Sequence, residues 1–369
     1  MRILLIVHQY LPRHCAGTEV FTHSLAKALA TQHEVLVYTH EAALDDGDWR
    51  GMTDAYDGIR VRRVAAWSGQ HHPSPWRAFR YSYENPAIEA DFAQVLGDFA
   101  PDIVHVQHLK DLSVGILGQV AEAGIPRLMT LHDYWALCPN AQFIRPDASI
   151  CTQTHLRLEC GTCAAQRLGA PWLRLAAPAM IPLFTARDRA IRRQMLHVRR
   201  FIAPSQFLRE QYIRAGYPPD KIQHIENGID LRRLEAVISA PRQPFREHYA
   251  YIGSIAWQKG VHVLVEAFRE LGDVGAELRI WGNLNTFPDY AAQLREATRG
   301  CPWIRLEGAI DHGRVGEALA WADYLIVPSV WWENAPATIQ EAYAAGLPVI
   351  ASRLGAITER VREGETGFL

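Results

Sequence analysis

Lysine is scarce in this sequence of 369 residues, which contains only Lys27, Lys110, Lys221 and Lys259. Arginine supplies the other 34 of its 38 basic residues, and 40 acidic residues bring the net charge to −2. A nearly neutral chain is not typical of nucleic-acid-binding proteins, so we expect no nucleic-acid partner. Because arginine is the usual cation here, a lysine inside a motif carries extra information.

Long hydrophobic runs are also lacking. The longest nearly apolar run, residues 175–186, contains two prolines, and a membrane span needs about 20 residues. The apolar run that follows Arg2 is too short for the core of a signal peptide. Six cysteines are too few for a disulfide scaffold at this length. We therefore expect a cytoplasmic protein.

What the sequence does contain is an alternation of apolar strands and amphipathic helices, which predicts α/β domains with parallel sheets. Residues 239–244 look like a linker. We therefore predict two Rossmann-like, doubly wound domains, 1–238 and 239–369, that face each other across a cleft. Such domains bind ligands beyond the carboxyl ends of their strands. The predicted strands are 2–7, 33–38, 102–106, 126–131 and 200–203, then 249–252, 277–281, 304–306, 324–327 and 349–351.

A pair of glutamates follows one of these strands. Glu333 lies in the loop after the strand at 324–327, and Glu341 lies in the next predicted helix. Carboxylates accept hydrogen bonds, which suits them to the paired hydroxyls of a sugar or a ribose. Two glutamates alone would fit a solvated helix face equally well.

The run around these glutamates resembles the Glu-x7-Glu signature of family 4 glycosyltransferases, which have the GT-B fold. The resemblance implies that Glu333 holds the hydroxyls of the donor sugar and that Glu341 holds the ribose of the nucleotide. Further matches are Pro328-Ser329, Ala345-Gly346, Pro348-Val349, Gly355, Glu359 and Gly364-Glu-Thr-Gly367. Between the glutamates, the predicted donor-binding residues are Asn334, Ala335, Pro336, Ala337 and Thr338.

A second motif, from Gly253 to Gly260, follows the strand at 249–252. A glycine there lets a phosphate approach the backbone, and Lys259 offers a point charge for a diphosphate. The family has Gly-Arg-x4-Lys-Gly at this place, so the resemblance implies that Gly253, Ser254 and Lys259 bind the donor diphosphate. Ser254 replaces the arginine, and either another arginine compensates or the backbone amides and Lys259 suffice. The alternative is a surface lysine beside a tight turn.

Two positions in the N-terminal half match the family as well. Gly17 opens the first helix, whose amides would face the donor phosphates or the transferred sugar. His132 follows the strand at 126–131, where the family has a histidine that contacts the donor sugar or its leaving diphosphate. Asp133 is a candidate to orient the His132 ring. His132, Glu333 and Lys259 are the predicted catalytic residues.

Two dipeptides, Gly282-Asn283 and Glu307-Gly308, come at the ends of two neighbouring strands. They match family positions that line the nucleobase, where backbone amides and loop shape would read the base. The match does not choose between uracil and guanine.

Four of the six cysteines, Cys138, Cys151, Cys160 and Cys163, lie near one another in the sequence. The C-x2-C spacing of the last two is typical of metal-binding hairpins. A structural zinc and a set of reduced, partly buried thiols both fit this pattern.

The segment 151–200 is rich in arginine, with nine arginines against Glu159 and Asp188. It also carries apolar residues such as Trp172 and Leu175. This composition fits a segment that lies on an anionic membrane surface. It fits a helix face that packs on the domain about equally well.

The resemblance implies a retaining, hexosyltransferase-type enzyme that moves a sugar from a GDP- or UDP-sugar to an acceptor hydroxyl. It implies no catalytic metal, because the leaving diphosphate acts as the base and the protein's own cations and helix dipoles stabilise it. The acceptor would be a glycan or a lipid-linked glycan, in cell-surface polysaccharide or glycolipid assembly on the inner face of the membrane. Two alternatives share the fold, a nucleotide-sugar epimerase and a non-catalytic scaffold. The motif around Glu333 fits the epimerase poorly, and Ser254 favours the scaffold.

Family members normally continue beyond the position of Leu369 with another strand and with helices that return to the N-terminal domain. We therefore expect a longer form, if one exists, to be more stable or more active.

Overall fold

A computed structural model of the chain describes residues 1–42, 51–66, 74–152, 157–241 and 244–369. Two units divide between Glu226 and Asn227, twelve residues before the boundary predicted from the sequence. Residues 227–238 pack with the second unit because the Leu234 side chain is fully buried in its core beside Ile339 and Val349. Of the predicted linker at 239–244, residues 242 and 243 lie outside the described ranges.

The first unit has one sheet, in which the described strands are arranged in the order β3-β4-β2-β1-β5-β6-β7-β8. All pairs are parallel except β3 with β4. The strands are β1 (Arg2–Val7), β2 (Glu34–Ala42), β3 (Gly51–Tyr56), β4 (Ile59–Ala66), β5 (Ile103–Val106), β6 (Arg127–Thr130), β7 (Arg200–Ala203) and β8 (Ile222–His224). The helices are α1 (Gly17–Ala30), α2 (Pro75–Tyr81), α3 (Pro86–Phe99), α4 (Gly115–Glu122), α5 (Leu158–Arg167), α6 (Ala177–Met195) and α7 (Gln206–Arg214).

The antiparallel hairpin β3–β4 is absent from the sequence-based prediction. Its turn is Asp57-Gly58, and both residues have positive φ, 48° and 78°. This dipeptide is a strong hairpin signal. Strand β3 escaped notice because its side chains are mostly exposed and show no apolar run. The prediction also missed α2, α3 and β8.

The second unit repeats the layout with a parallel sheet in the order β11-β10-β9-β12-β13-β14. Its strands are β9 (His248–Ile252), β10 (Glu277–Trp281), β11 (Ile304–Gly308), β12 (Tyr324–Val327), β13 (Val349–Ala351) and β14 (Gly367–Phe368). Its helices are α8 (Glu235–Ile238), α9 (Val261–Leu271), α10 (Pro288–Ala297), α11 (Val315–Trp321), α12 (Ala337–Ala344) and α13 (Ile357–Arg360). The predicted strands of this half all form.

The strand order reverses once in each sheet, between β1 and β5 in the first unit and between β9 and β12 in the second. At such a point the loops after two neighbouring strands lead to opposite faces, which opens a crevice at the carboxyl edge. The fold therefore marks two places where functional side chains should gather. Within the described ranges, no helix combines the length and the apolar character that crossing a membrane requires.

Candidate active site

Glycines end three neighbouring strands at the carboxyl edge of the second sheet. The Gly253 N–H donates to the Trp281 carbonyl at 3.0 Å, and the Gly282 N–H donates to the Gly308 carbonyl at 2.8 Å. A Cβ on Gly282 would lie 2.2 Å from the Gly253 carbonyl oxygen, so a side chain cannot fit there without displacing backbone. The glycines predicted to approach the donor thus allow these strand ends to lie close together.

The loops after β9 and β12, which flank the reversal in strand order, pack tightly against each other. Gly260 has a φ of +73°, and a Cβ on it would lie 1.8 Å from the Pro328 carbonyl oxygen. The Val330 N–H donates to the Gln258 carbonyl at 3.0 Å. This packing brings together residues from two separate sequence motifs.

The predicted pair Lys259 and Glu333 meets at this junction. The Oε1 atom of Glu333 accepts hydrogen bonds from Lys259 Nζ at 2.7 Å, from Ser329 Oγ at 2.7 Å and from Trp331 Nε1 at 2.8 Å. The Lys259 ammonium also lies 5.1 Å from the centre of the Trp331 ring, within the range of a cation–π contact. Ser329 and Trp331 are functional candidates whose roles sequence reasoning did not assign.

The charge of Glu333 is maintained although its side chain is buried. Burial alone would raise the pKa of its carboxyl. Lys259, Ser329 and Trp331 outweigh that effect and lower the pKa of Glu333 below its ordinary value. The site therefore holds an ionised hydrogen-bond acceptor beside a cation, an arrangement suited to a ligand that carries both hydroxyls and negative charge.

Glu341, in α12, is also buried, but its environment differs. It forms an ion pair with Arg233. Burial raises the pKa of Glu341, and Arg233 opposes that rise only in part. The Nε and Nη1 atoms of Arg233 are buried and have no hydrogen-bond partner in the structure. Sequence reasoning missed Arg233 because it lies 108 residues before Glu341, outside the recognised motifs.

The other predicted donor-binding positions of this unit have local roles. The exposed Ser254 offers its carbonyl to the Tyr251 hydroxyl at 2.8 Å. Asn283 Oδ1 accepts from the Asn285 N–H at 2.9 Å. Glu307 Oε1 lies 3.5 Å from Arg279. Residues 334–338 connect the Glu333 loop to the start of α12.

In the first unit, polar side chains gather where β1, β5 and β6 end. His132 Nε2 lies 2.9 Å from Gln107 Oε1. Because an amide oxygen only accepts, Nε2 carries the ring proton. Burial, with a smaller effect of His108, lowers the pKa of His132 to about 3. His132 is therefore neutral at physiological pH and can offer hydrogen bonds but no positive charge.

Asp133 does not have the partner that the sequence suggested. Its Oδ2 atom lies 3.1 Å from His108 Nε2, and its Oδ1 atom accepts from the Trp135 N–H at 2.7 Å. Instead, Gln107 contacts Nε2 of the His132 ring. Burial opposes ionisation of Asp133, but His108 reverses this and lowers the pKa of the Asp133 carboxyl.

Glu19 stabilises the first turn of α1, where Gly17 lies, through a hydrogen bond to the backbone. The Glu19 carboxylate accepts from the Ala16 N–H at 3.1 Å and lies 3.5 Å from His8. Burial raises the pKa of Glu19. A Cβ on Gly17 would meet no atom within 4 Å, so this unit itself does not require a glycine there. Donor binding by the Gly17 region stays a prediction.

For the cysteine cluster, the sequence left a structural zinc and reduced thiols as alternatives. All four cysteines are described, and no group of three or more metal-ligating side chains in the described part of the chain could hold a metal ion. Cys160 and Cys163 lie within α5 rather than in a hairpin, and the Arg157 guanidinium lies 3.8 Å from Cys160 Sγ. Burial raises the pKa of Cys160 to about 11, so its thiol stays protonated at neutral pH. None of the four cysteines forms a disulfide bond within the described part of the chain.

In the arginine-rich segment 151–200, of which residues 153–156 lie outside the described ranges, several guanidinium groups bind backbone carbonyls of the first unit. Arg157, Arg167, Arg187 and Arg192 donate to backbone carbonyls of Leu137, Ile144, Trp135 and Gly216, respectively. Trp172 and Leu175 are 70% and 85% exposed. Both interpretations of the segment thus have structural support: part of it packs inward, and part presents apolar side chains to solvent.

Comparison with known proteins identifies the family. The model of Glycosyltransferase Family 4 matches residues 16–233, and that of Glycosyl transferases group 1 matches residues 246–369. The chain belongs to glycosyltransferase family 4.

Three curated relatives support this assignment. Glycogen synthase of Mycobacterium tuberculosis is 32% identical over 149 residues, which is 40% of this chain and 35% of the relative. Alpha-maltose-1-phosphate synthase of Mycolicibacterium smegmatis is 31% identical over 188 residues, 46% of this chain and 47% of the relative. The amylovoran biosynthesis glycosyltransferase AmsK of Erwinia amylovora is 28% identical over 178 residues, 45% and 42% of the two chains. The chain thus matches less than half the length of these relatives.

Solved structures establish the fold. Anabaena HepE in complex with UDP and glucose has a TM-score of 0.65 and 19% identity, covering 100% of this chain and 85% of that one. Sucrose-phosphate synthase from Thermosynechococcus elongatus gives the same values. The two Rossmann-like units are those of the GT-B fold, as the sequence predicted.

Proposed function

We propose that this protein is a retaining glycosyltransferase that transfers a sugar from a UDP- or GDP-sugar to an acceptor hydroxyl. The observation that carries the proposal is the contact between Lys259 and Glu333 beside the strand-order reversal of the second sheet. A cation for the diphosphate lies there next to an ionised acceptor for sugar hydroxyls. Membership of family 4 supports this interpretation.

Each residue has an assigned role in donor binding. Lys259 binds the diphosphate together with the backbone amide of Ser254, in the loop after Gly253, whose own N–H donates to the Trp281 carbonyl. Because Glu333 Oε1 already accepts three hydrogen bonds, we assign the sugar hydroxyls to its other carboxylate oxygen. Glu341 binds the ribose, and Arg233 holds its carboxylate in position.

In the proposed reaction, the bond between the sugar C1 and the diphosphate oxygen breaks as the acceptor oxygen bonds to C1 on the same face. The acceptor's proton passes to the departing diphosphate, so neither a protein nucleophile nor a metal takes part. Lys259 stabilises the negative charge that grows on the diphosphate. His132, neutral at physiological pH, contributes hydrogen bonds to the sugar or the diphosphate rather than a proton.

The relatives suggest which donor and which kind of acceptor to test first. Anabaena HepE is seen with UDP and glucose, which makes UDP-glucose the first donor to test. One relative serves amylovoran biosynthesis, which favours a glycan or lipid-linked acceptor for this chain. We place the protein on the cytoplasmic side of a membrane, with the exposed Trp172 and Leu175 of the arginine-rich segment on anionic lipid.

The membrane contact has its own test. Sedimentation with phosphatidylglycerol vesicles should carry the protein down, and neutral phosphatidylcholine vesicles should not. The double variant Trp172→Ser and Leu175→Ser should weaken sedimentation, while substitution of Phe245, which is 62% exposed and belongs to the second unit, should leave it unchanged. Equal sedimentation with both lipids would reject the preference for anionic lipid, and sedimentation with neither would reject the membrane contact; neither result would reject the transferase.

A thermal-shift screen with UDP, GDP, ADP and UDP-glucose tests the donor site. One nucleotide at about 100 times its Kd should stabilise the protein by about 2.7 kcal/mol. Lys259→Ala should abolish most of that shift. The control Lys221→Ala should keep it, because the Lys221 ammonium lies 3.4 and 3.5 Å from the carbonyls of Leu196 and Val198, in the first unit. A screen without any shift would contradict the proposal and favour a non-catalytic scaffold.

A further inference from the structure

The turn from Asp133 to Leu137 comes directly after His132. Three side chains, from three different helical regions, donate hydrogen bonds to its backbone carbonyls. The Tyr212 hydroxyl, from α7, donates to the Asp133 carbonyl at 3.0 Å. Arg187, from α6, donates to the Trp135 carbonyl at 2.6 Å. Arg157, at the start of α5, donates to the Leu137 carbonyl at 3.0 Å.

The three side chains that hydrogen-bond to this turn lie mostly in the protein interior. Arg187 is 1% exposed, and its guanidinium lies 5.3 Å from the centre of the Trp135 ring. A buried guanidinium is costly to desolvate unless an opposite charge and hydrogen bonds compensate for the lost water. Here Asp188 supplies the opposite charge, 3.6 Å from Arg187 and 2.5 Å from Arg157.

The far side of the anchored turn faces the histidines. The Trp135 ring lies 5.6 Å from the His108 ring, and His108 contacts the Asp133 carboxylate. The turn therefore has one side fixed by α5, α6 and α7 and the other side against the cluster that contains His132. A shift of the anchors would move the backbone on which the His132 side chain stands.

We propose that Tyr212, Arg187 and Arg157 are positioning residues for His132. They fix alternate carbonyls of the turn and thereby hold the His132 ring in the orientation that the proposed transferase needs. This inference rests on the proposed function for the role of His132 but concerns contacts within the first unit alone. It accounts for two of the nine arginines of the arginine-rich segment.

Tyr212→Phe is the sharpest test because it removes one hydroxyl and keeps the ring. Tyr217→Phe is its matched control. Tyr217 is also buried, its ring lies 5.2 Å from that of Tyr212, and its hydroxyl contacts Met195 Sδ at 3.2 Å rather than the turn. Both variants lose one buried hydroxyl from the same part of the core, and only one of them loses a contact to the turn.

The decisive readout is NMR of 15N-labelled histidine rings, with the His132 signal assigned from His132→Gln. In the wild type, the His132 Nε2–H should be protected by its contact with Gln107. We expect that signal to shift or disappear in Tyr212→Phe and to stay in place in Tyr217→Phe. An unchanged signal in Tyr212→Phe would overturn the proposal, and this readout needs no substrate.

Turnover and donor binding separate this inference from the proposed function. With UDP-glucose as probe, UDP release by Tyr212→Phe should fall about tenfold in kcat with KM unchanged, because displacement from the reacting geometry lowers the rate more than binding. The nucleotide-induced thermal shift should stay intact. A lost shift in the wild type would reject the donor site, whereas an intact shift with equal kcat in both tyrosine variants would reject the positioning role.

Arg157→Lys provides a second, independent variant. It keeps the positive charge but cannot reach the Leu137 carbonyl and Asp188 at the same time, because lysine lacks the planar fork of arginine. The same change in the His132 signal is expected. If Arg157→Lys changes stability without altering the signal, Arg157 is structural and drops out of the set.

Discussion

The ammonium of Lys259 donates to Glu333 at 2.7 Å, across 74 positions of sequence. Two motifs that follow different strands thus form one site, because the loops after β9 and β12 pack together where the strand order reverses. The carboxylate oxygen that receives Lys259 also receives the hydroxyl of Ser329 and the indole N–H of Trp331. The pair is therefore held in place before any ligand arrives.

Ser329→Ala should destabilise the protein by about 1–2 kcal/mol at pH 7, since it removes a buried hydrogen bond to a charged group. The pKa of Glu333 is lowered in the folded state. Its contribution to stability is therefore complete above the ordinary glutamate pKa and is lost as the pH falls through the folded-state pKa. Ser329→Ala should lose part of the stability that the Glu333 charge contributes. Denaturation by urea at pH 7 and at about pH 4 measures the loss of stability and its dependence on pH.

The difference between the wild type and Ser329→Ala should shrink at the lower pH, because the contribution of the Glu333 charge to stability begins to be lost below the ordinary glutamate pKa. Ser239→Ala, at the exposed end of α8, is the control and should show no pH-dependent difference. A Ser329→Ala penalty that is the same at both pH values would show that the hydroxyl supports packing rather than the charge of Glu333.

Ser254→Arg should tighten nucleotide binding by up to about tenfold, or about 1.4 kcal/mol. Ser254 is exposed, so a longer side chain can be accommodated, and it stands where the family has an arginine for the diphosphate. Isothermal titration of the nucleotide found in the thermal-shift screen measures the change. Unchanged affinity would mean that Lys259 and the loop amides already suffice.

Gly282→Ala should destabilise the second unit by more than about 2 kcal/mol, because its Cβ would meet the Gly253 carbonyl oxygen at 2.2 Å and backbone would have to move. Gly228→Ala is the control from the same unit, since a Cβ there meets nothing within 4 Å. Chemical denaturation of both variants gives the comparison. Equal stabilities would show that the strand ends can separate at little cost.

Cys160 should resist alkylation. Burial raises its pKa to about 11, so only about 0.1% of it is thiolate at pH 8, and the thiolate is the reactive form. Iodoacetamide should therefore modify the exposed Cys15 first. Mass spectrometry of digested protein over time ranks the two sites, and early labelling of Cys160 would contradict the buried position of its thiol.

Treatment with EDTA should leave the melting temperature unchanged within about 1 °C, since the described residues contain no group of side chains that could hold a metal ion. A structural zinc contributes directly to folding free energy, so its removal would lower the melting temperature by far more. Bound zinc released on denaturation, measured with a chromogenic chelator, would revive the zinc interpretation of the cysteines.

The sequence alone was enough for most of the fold and for the separate motifs. Apolar runs and helical periodicity are local properties, and they predicted the strands β9 to β13 and the helices between them. The same reasoning missed the hairpin β3–β4, because its exposed strand has no apolar run, although Asp57-Gly58 signals the turn. It also placed the unit boundary after 238, because it did not show that Leu234 is buried in the second core.

Partners distant in sequence were decided only by the tertiary structure. Spacing could not show that Arg233 pairs with Glu341, that Asp133 faces His108 rather than His132, or that Trp331 contacts both Lys259 and Glu333. Such contacts depend on strand order and on which loops pack at one sheet edge, and neither is encoded in local periodicity. The sequence determined which chemical groups are present at the strand ends, and the packing of the sheets decided which of them touch.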